Sequence, residues 1–432
     1  MEVIDAARRA RAVQIAHATM GTLRDRSRLA TAGEWSAHSM LRGDTGLAIT
    51  CSAFAELWPD EGWDACGHAF LKAALGTAAA PQSISLFHSV AGVTFALRCL
   101  SRGGQRYVGV LEQVEAMLFA RIGVALDKLP PEGGLAEADF DLIDGLSGAA
   151  VPLTVAAEDS RHLAGRTSTP STHFTLASSL LEHMMRRFTV WARQPVPGGF
   201  WTPPDRIRDS DSEVRSGHLN LGVAHGIAGP LALACLIKRA ALLDFDLTPL
   251  ITTLAEQLNA CIIETSGGPD IPYHYLPHVA PSLERQTRSA WCYGNPGAAR
   301  ALQLAALACD RPAWEDTAAE ILHASLGRSE DVKAIPSPTF CHGKAGLVHV
   351  LHRFVRDASK PRRLLHEALE RELDELLDKY DPEADFGYRD IHLRIGPRDH
   401  PGFLEGAAGV AAVLAAFAAD KPLTWERAVL MG

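Results

Sequence analysis

Long hydrophobic runs are missing from this chain. The most apolar stretches, 302–309 and 410–418, fall well short of the roughly 20 residues that a membrane-spanning helix needs. The N-terminus, MEVIDAARRARAVQ, has no apolar core followed by a small-residue cleavage site, so it does not read as a signal peptide. These absences predict a cytoplasmic protein that does not itself cross a membrane. Positive charge is short as well. Lys and Arg number 42 against 51 Asp and Glu, a formal net charge of −9, and this excludes the basic surface that nucleic acids require. The pairs Arg186-Arg187 and Arg362-Arg363 have acids nearby and read as solvated helix faces. The eight cysteines, at 51, 66, 99, 235, 261, 292, 309 and 341, are scattered and include no CxxC pair, so no disulfide framework is implied. Cys99, Cys235 and Cys309 lie on apolar stretches and read as core. Strand-like alternation is almost absent.

Glycine-opened helices are what the chain has. A short turn ending in glycine leads directly into an apolar Ala/Leu-rich segment at Gly46, Gly92, Gly148, Gly229, Gly297, Gly346 and Gly409. The segments after these turns are apolar on nearly every face and belong in an inner layer. The segments between them carry the charge. LLHEALERELDELLDKY, at 364–380, repeats leucine at helical spacing among acids and bases and reads as an outer helix with one solvated face. Seven such units predict an all-α protein, a single domain over 1–432, in which seven helical hairpins form two layers with the apolar helices inside. Closure into a double-layered α/α toroid is the expected architecture. It would gather the seven turns around one opening, whereas periodicity alone also permits an open solenoid. Two irregular insertions interrupt the pattern, at about 156–217 and 266–290, and long ordered loops of this kind are often functional.

The chemistry concentrates on the later turns. WCYGNPG at 291–297 and CHGKAGL at 341–347 place Cys292, Cys341 and His342 on equivalent turns of neighbouring units. Two thiolates and an imidazole can hold one Zn²⁺ with a coordination position left open. His225, one unit earlier, is open between a fourth ligand, a general acid or base, and a helix-start histidine. Asp141 could orient a histidine or cap a helix. Asp44, His88, Asp144 and Glu405 read as turn or capping residues. Arg288 and Tyr293 could steer an anionic intermediate and donate a hydrogen bond, or could merely lie on the surface and pack. Tyr273, His274 and His278 read as surface residues.

FDLIDGLSG (140–148), LNLGVAHGIAG (219–229), RSAWCYGNPG (288–297) and FCHGKAG (340–346) together resemble the motifs of the lanthionine synthetase cyclase, or LanC-like, family. The likeness spans nearly the full chain, although FHSVAG in the second turn has His and Ser where glycines are usual. The resemblance implies an α/α toroid with Zn²⁺ on Cys292, Cys341 and His342, His225 as acid/base, and Asp141, Arg288 and Tyr293 as further catalytic residues. It implies Michael addition of peptide cysteine thiols to dehydroalanine or dehydrobutyrine, forming lanthionine and methyllanthionine rings in a dehydrated precursor peptide. With no room for a dehydratase domain, the chain resembles a stand-alone class I cyclase. Such a cyclase works with a separate dehydratase and an exporter, in a membrane-associated biosynthetic complex. Family members that add glutathione to dehydroamino acids offer a second activity, and a non-catalytic peptide-binding scaffold a third reading. Toroidal glycosidases need a carboxylate pair that the glycine turns do not supply.

Overall fold

The computed structural model describes residues 3–432 apart from 30–34, 77–82, 165–171, 208–213, 278, 280–285 and 393–395. Among the described residues, seven helices make the inner wall: Asp44–Leu57, Val90–Leu100, Leu146–Ala164, Ala228–Arg239, Asn295–Cys309, Lys344–Asp357 and Ala407–Ala416. Each begins at one of the glycine turns. In Asn295–Cys309 every residue from Asn295 to Ala306 is buried, and Ala407–Ala416 is buried throughout. Helices with no polar face form only where neighbours cover every side.

Outer helices follow six of these in the chain: Trp63–Gly76, Val108–Lys128, Thr172–Ala192, Thr248–Ala260, Pro312–Leu326 and Arg363–Asp378. The N-terminal helix Ala6–Leu23 packs on Ala407–Ala416 and supplies the seventh. Arg363–Asp378 buries Leu365, Leu369, Leu373, Leu376 and Leu377 on one face, as the leucine spacing of 364–380 predicts.

Each inner helix touches the next, and the last, Ala407–Ala416, touches the first, Asp44–Leu57. A backbone belt makes the closure explicit. Met40 N–H donates to Phe87 O (2.9 Å), Leu86 to Ile143 O (3.1 Å), Leu142 to Ala224 O (3.0 Å) and Val223 to Cys292 O (3.1 Å). Cys292 then donates to Cys341 O (3.2 Å), Phe340 to Leu404 O (3.0 Å) and Phe403 to Leu41 O (3.0 Å). The circuit returns to its starting turn, so the fold is a closed α/α toroid. The turn glycines follow from the same geometry. A Cβ on Gly46, Gly92, Gly148, Gly229, Gly297, Gly346 or Gly409 would lie 1.8–2.7 Å from the carbonyl oxygen six residues earlier. No side chain fits there.

The first irregular insertion starts later than the sequence suggests. The inner helix Leu146–Ala164 runs past Ala156, and the outer helix extends over Thr172–Ala192. The polar residues around 158–160 do not break the helix because they find partners: Asp159 accepts from Arg98 Nη1 (3.0 Å), Ser160 Oγ donates to Ala156 O (2.7 Å), and Glu158 pairs with Arg427. Among the described residues, 193–207 and 214–217 are mostly irregular, with a short 3-10 turn at Pro204–Arg206. The second insertion contains the strand Gly268–Asp270, paired with Ile263–Thr265, and the strand His274–Tyr275, paired antiparallel with Leu219–Asn220. Buried Asp270 ties this loop down, accepting from Thr287 N–H (2.8 Å) and from Arg328 Nη2 (2.7 Å). The C-terminal segment Thr424–Val429 enters the interior. Trp425 packs among Phe340, Phe403 and His349, and Val429 O accepts from Trp291 Nε1 (3.0 Å). No helix of the described residues is long and apolar enough to cross a membrane.

Candidate metal centre and catalytic cavity

The seven belt residues Leu41, Phe87, Ile143, Ala224, Cys292, Cys341 and Leu404 all line one cavity of about 590 Å³. Five are apolar. The two thiols sit side by side, because Cys292 and Cys341 occupy equivalent positions on consecutive turns and are joined through their backbones (3.2 Å). His342 stands next to them, and the potential ligand atoms of Cys292, Cys341 and His342 all lie within 4.8 Å of one another. The donor set suits a metal ion that favours sulfur and imidazole. Cys292 is held below the ordinary thiol value, first by a hydrogen bond from Cys341 and, against its burial, by the charge of Arg288. The Cys341 thiol is pushed up by its hydrogen bond with Cys292 and by burial. One of the two thiols is thus prepared to lose its proton.

His225 and Asp141 line the same cavity. His225 Nδ1 and Asp141 Oδ2 are 2.5 Å apart. Asp141 Oδ1 accepts from the backbone N–H groups of Asp144 and Gly145, each at 2.7 Å. The sequence leaves Asp141 between capping a turn and orienting a histidine. Its two oxygens do one task each. Burial works against the His225 cation, but the hydrogen bond and charge of Asp141 outweigh it and raise the imidazole above its usual value. Burial lifts the Asp141 carboxyl, and His225 opposes that rise.

Arg288 and Tyr293 also line the cavity. The Arg288 N–H donates to Tyr273 Oη (2.9 Å). Burial opposes the Arg288 charge, while Tyr273 and the Cys292 thiol favour it and prevail. Burial pushes the Tyr293 phenol well up, so it stays protonated. Tyr273 and His274 are not the surface residues that the sequence suggests. Both line the cavity, because the strand His274–Tyr275 pairs with Leu219–Asn220 and brings the loop inward. His278 lies outside the described residues. His88 and Asp144 line the cavity too, whereas Glu405 is taken up by Arg42 Nε (3.1 Å). Asp44 is buried, accepting from Trp35 Nε1 (2.9 Å) and pairing with Arg26 (2.8 Å).

Sequence reasoning missed Glu137, His218 and Asn220. Glu137 Oε1 accepts from Asn220 Nδ2 (2.5 Å) and lies 2.8 Å from His218 Nε2. Burial opposes the Glu137 charge, but these two partners outweigh it and hold the carboxyl below its usual value. With His274, these residues form a second group whose ligand atoms lie within 4.8 Å. One Asn220 amide hydrogen points at Glu137, which favours a hydrogen-bonded network there over a cation. Alternation in HLN, placing His218 and Asn220 on one face of a short strand, is the signal that could have revealed it.

Fold and cavity together define a closed α/α toroid with a candidate thiol–imidazole metal site within its ring of turns. The chain belongs to the lanthionine synthetase C-like family, whose model matches residues 34–430. It is similar to nisin biosynthesis protein NisC of Lactococcus lactis subsp. lactis, at 24% identity over 365 residues, covering 80% of this chain and 77% of that protein. It is also similar to the solved structure of a nisin cyclase, with a TM-score of 0.75, 17% identity and 96% of both chains covered.

Proposed function

We propose that this protein is a zinc-dependent lanthionine cyclase. It joins cysteine thiols of a dehydrated precursor peptide to dehydroalanine or dehydrobutyrine. The observation that carries this reading is the meeting of Cys292 and Cys341, with His342 beside them, and the His225–Asp141 pair at one cavity. Cys292, Cys341 and His342 are the residues that would hold Zn²⁺. When bound there, the ion supplies a lowered thiol pKa, which matters because a free cysteine of pKa about 8.5 is mostly protonated at neutral pH.

His225, poised by Asp141, takes up the thiol proton. The sulfur attacks the β-carbon of the dehydroamino acid, a C–S bond forms, and the C=C electron pair moves toward the carbonyl as an enolate. Arg288 and Tyr293 stabilise the enolate oxygen. His225 returns the proton to the α-carbon, so no external oxidant or reductant is consumed. The product is the thioether. Asp141 acts by holding the imidazole. The apolar belt residues Leu41, Phe87, Ile143 and Leu404 limit water around the reacting atoms. A separate dehydratase would supply the substrate, an exporter would remove the product, and we place the reaction in the cytoplasm.

The test is zinc content by plasma mass spectrometry, together with mass-spectrometric detection of thiol loss in a dehydrated, cysteine-containing peptide. One zinc per chain with conversion is expected. Cys341→Ala should lose the zinc, since two remaining ligands hold it poorly. Full zinc in that variant would sink the ligand assignment. A zinc-loaded wild type that leaves peptide thiols untouched would sink the cyclase reading.

A further inference from the structure

Asn220 is fully buried beside the cavity, on the strand Leu219–Asn220, with His274 as its register partner. Its amide is oriented by the backbone, because the Gly222 N–H donates to Asn220 Oδ1 (3.0 Å). The nitrogen must therefore face the other way. Its two hydrogens meet Glu137 Oε1 (2.5 Å) and Tyr293 Oη (2.8 Å). Glu137 is fixed in turn by His218 Nε2 (2.8 Å).

An amide nitrogen donates and does not accept. Tyr293 Oη is consequently the acceptor in its contact with Asn220, and its own hydrogen must point elsewhere. Tyr293 lines the cavity shared by His225 and Cys292. We propose that Asn220 is a positioning residue that sets the direction of the Tyr293 hydroxyl, turning its proton into the cavity toward the substrate oxygen that becomes the enolate. This inference rests on the cyclase reading. Glu137 takes the second amide hydrogen and His218 steadies Glu137, so the chain His218–Glu137–Asn220–Tyr293 ends in a donor already aimed. A donor aimed before the reaction loses nothing to reorientation as charge develops.

Aspartate at position 220 would reverse the polarity. It would accept the phenol proton and draw it away from the cavity, with a second carboxylate against Glu137.

The test is a double-mutant cycle on cyclisation of a dehydrated peptide, reading kcat and KM separately, with zinc content and the thermal midpoint recorded for every variant. Tyr293→Phe should lower kcat roughly 100-fold, as loss of one oxyanion donor does. Asn220→Ala should lower kcat roughly tenfold or more, with KM and zinc unchanged. In the Tyr293→Phe background, Asn220→Ala should cost nothing further, because the group it aims is gone. Asn220→Asp, nearly identical in shape, covers the case in which the alanine variant does not fold. It should lose at least as much kcat, and again nothing more beside Tyr293→Phe. Fully additive losses, or an Asn220→Asp enzyme as active as wild type, would overturn the assignment while leaving the cyclase reading standing. A wild type that cyclises nothing would overturn both.

Discussion

The cavity residues do their work through partners one or two bonds away. His225 gains its basicity from Asp141, and Asp141 is held by two backbone N–H groups. Replacing His225 with Asn keeps a polar side chain but removes the proposed proton carrier. Zinc should remain at one per chain and kcat should fall by roughly 10²–10⁴-fold, measured by plasma mass spectrometry and by the cyclisation rate. Metal loss in His225→Asn would make the histidine a ligand. A different histidine governs stability. His352 is buried and stacked on Phe417, and burial, assisted by repulsion from His349, pulls it down to about 3. The unfolded chain protonates this ring near the ordinary histidine value of 6.5, while the fold refuses the proton until about pH 3. The stability tied to neutral His352 is therefore present above pH 6.5 and is lost as pH falls toward 3. His352→Phe should flatten the acid side of a urea-denaturation profile by about 1 kcal/mol per pH unit across that window. An unchanged slope would count against the buried neutral ring.

At the scale of elements, the glycine turns and the outer helices obey opposite rules for the same substitution. A Cβ on Gly409 would lie 1.8 Å from Phe403 O, so Gly409→Ala must push the turn away from its neighbour. A loss of about 1–3 kcal/mol or more is expected in denaturant titration. Gly123, within the outer helix Val108–Lys128, has nothing within 4 Å of a Cβ placed on it. Gly123→Ala should stabilise by about 0.5–1 kcal/mol, through helix propensity alone. Equal effects at the two positions would refute the crowding argument. The outer helix Arg363–Asp378 was legible because its leucine spacing needs only local periodicity. The helical state of 156–164 was not legible. Its polar residues look like loop until Arg98 and Arg427, far away in sequence, arrive as partners.

At the scale of the molecule, the closed belt makes the seven units interdependent. An open solenoid frays from its ends, but this ring has none: Phe403 bonds to Leu41, and the first and last inner helices touch. Trp291 and Trp425 lie in the common interior. Tryptophan fluorescence and far-UV circular dichroism should therefore report coincident urea transitions. Separated transitions would show units unfolding independently.

Residue types and local periods already specify the inner and outer helices, the glycine turns and the thiol and imidazole donors. Each of these depends on neighbours within a few positions along the chain, so each is written where it acts. The belt, the inward fold of 266–290 and the chain from His218 through Glu137 and Asn220 to Tyr293 depend on contacts between residues up to 362 positions apart, as Leu41 and Phe403 are. Closing the ring is what converts seven separate turns into one cavity, because a hydrogen bond or a metal site requires atoms to meet in space, and sequence distance carries no information about that meeting until the toroid has formed.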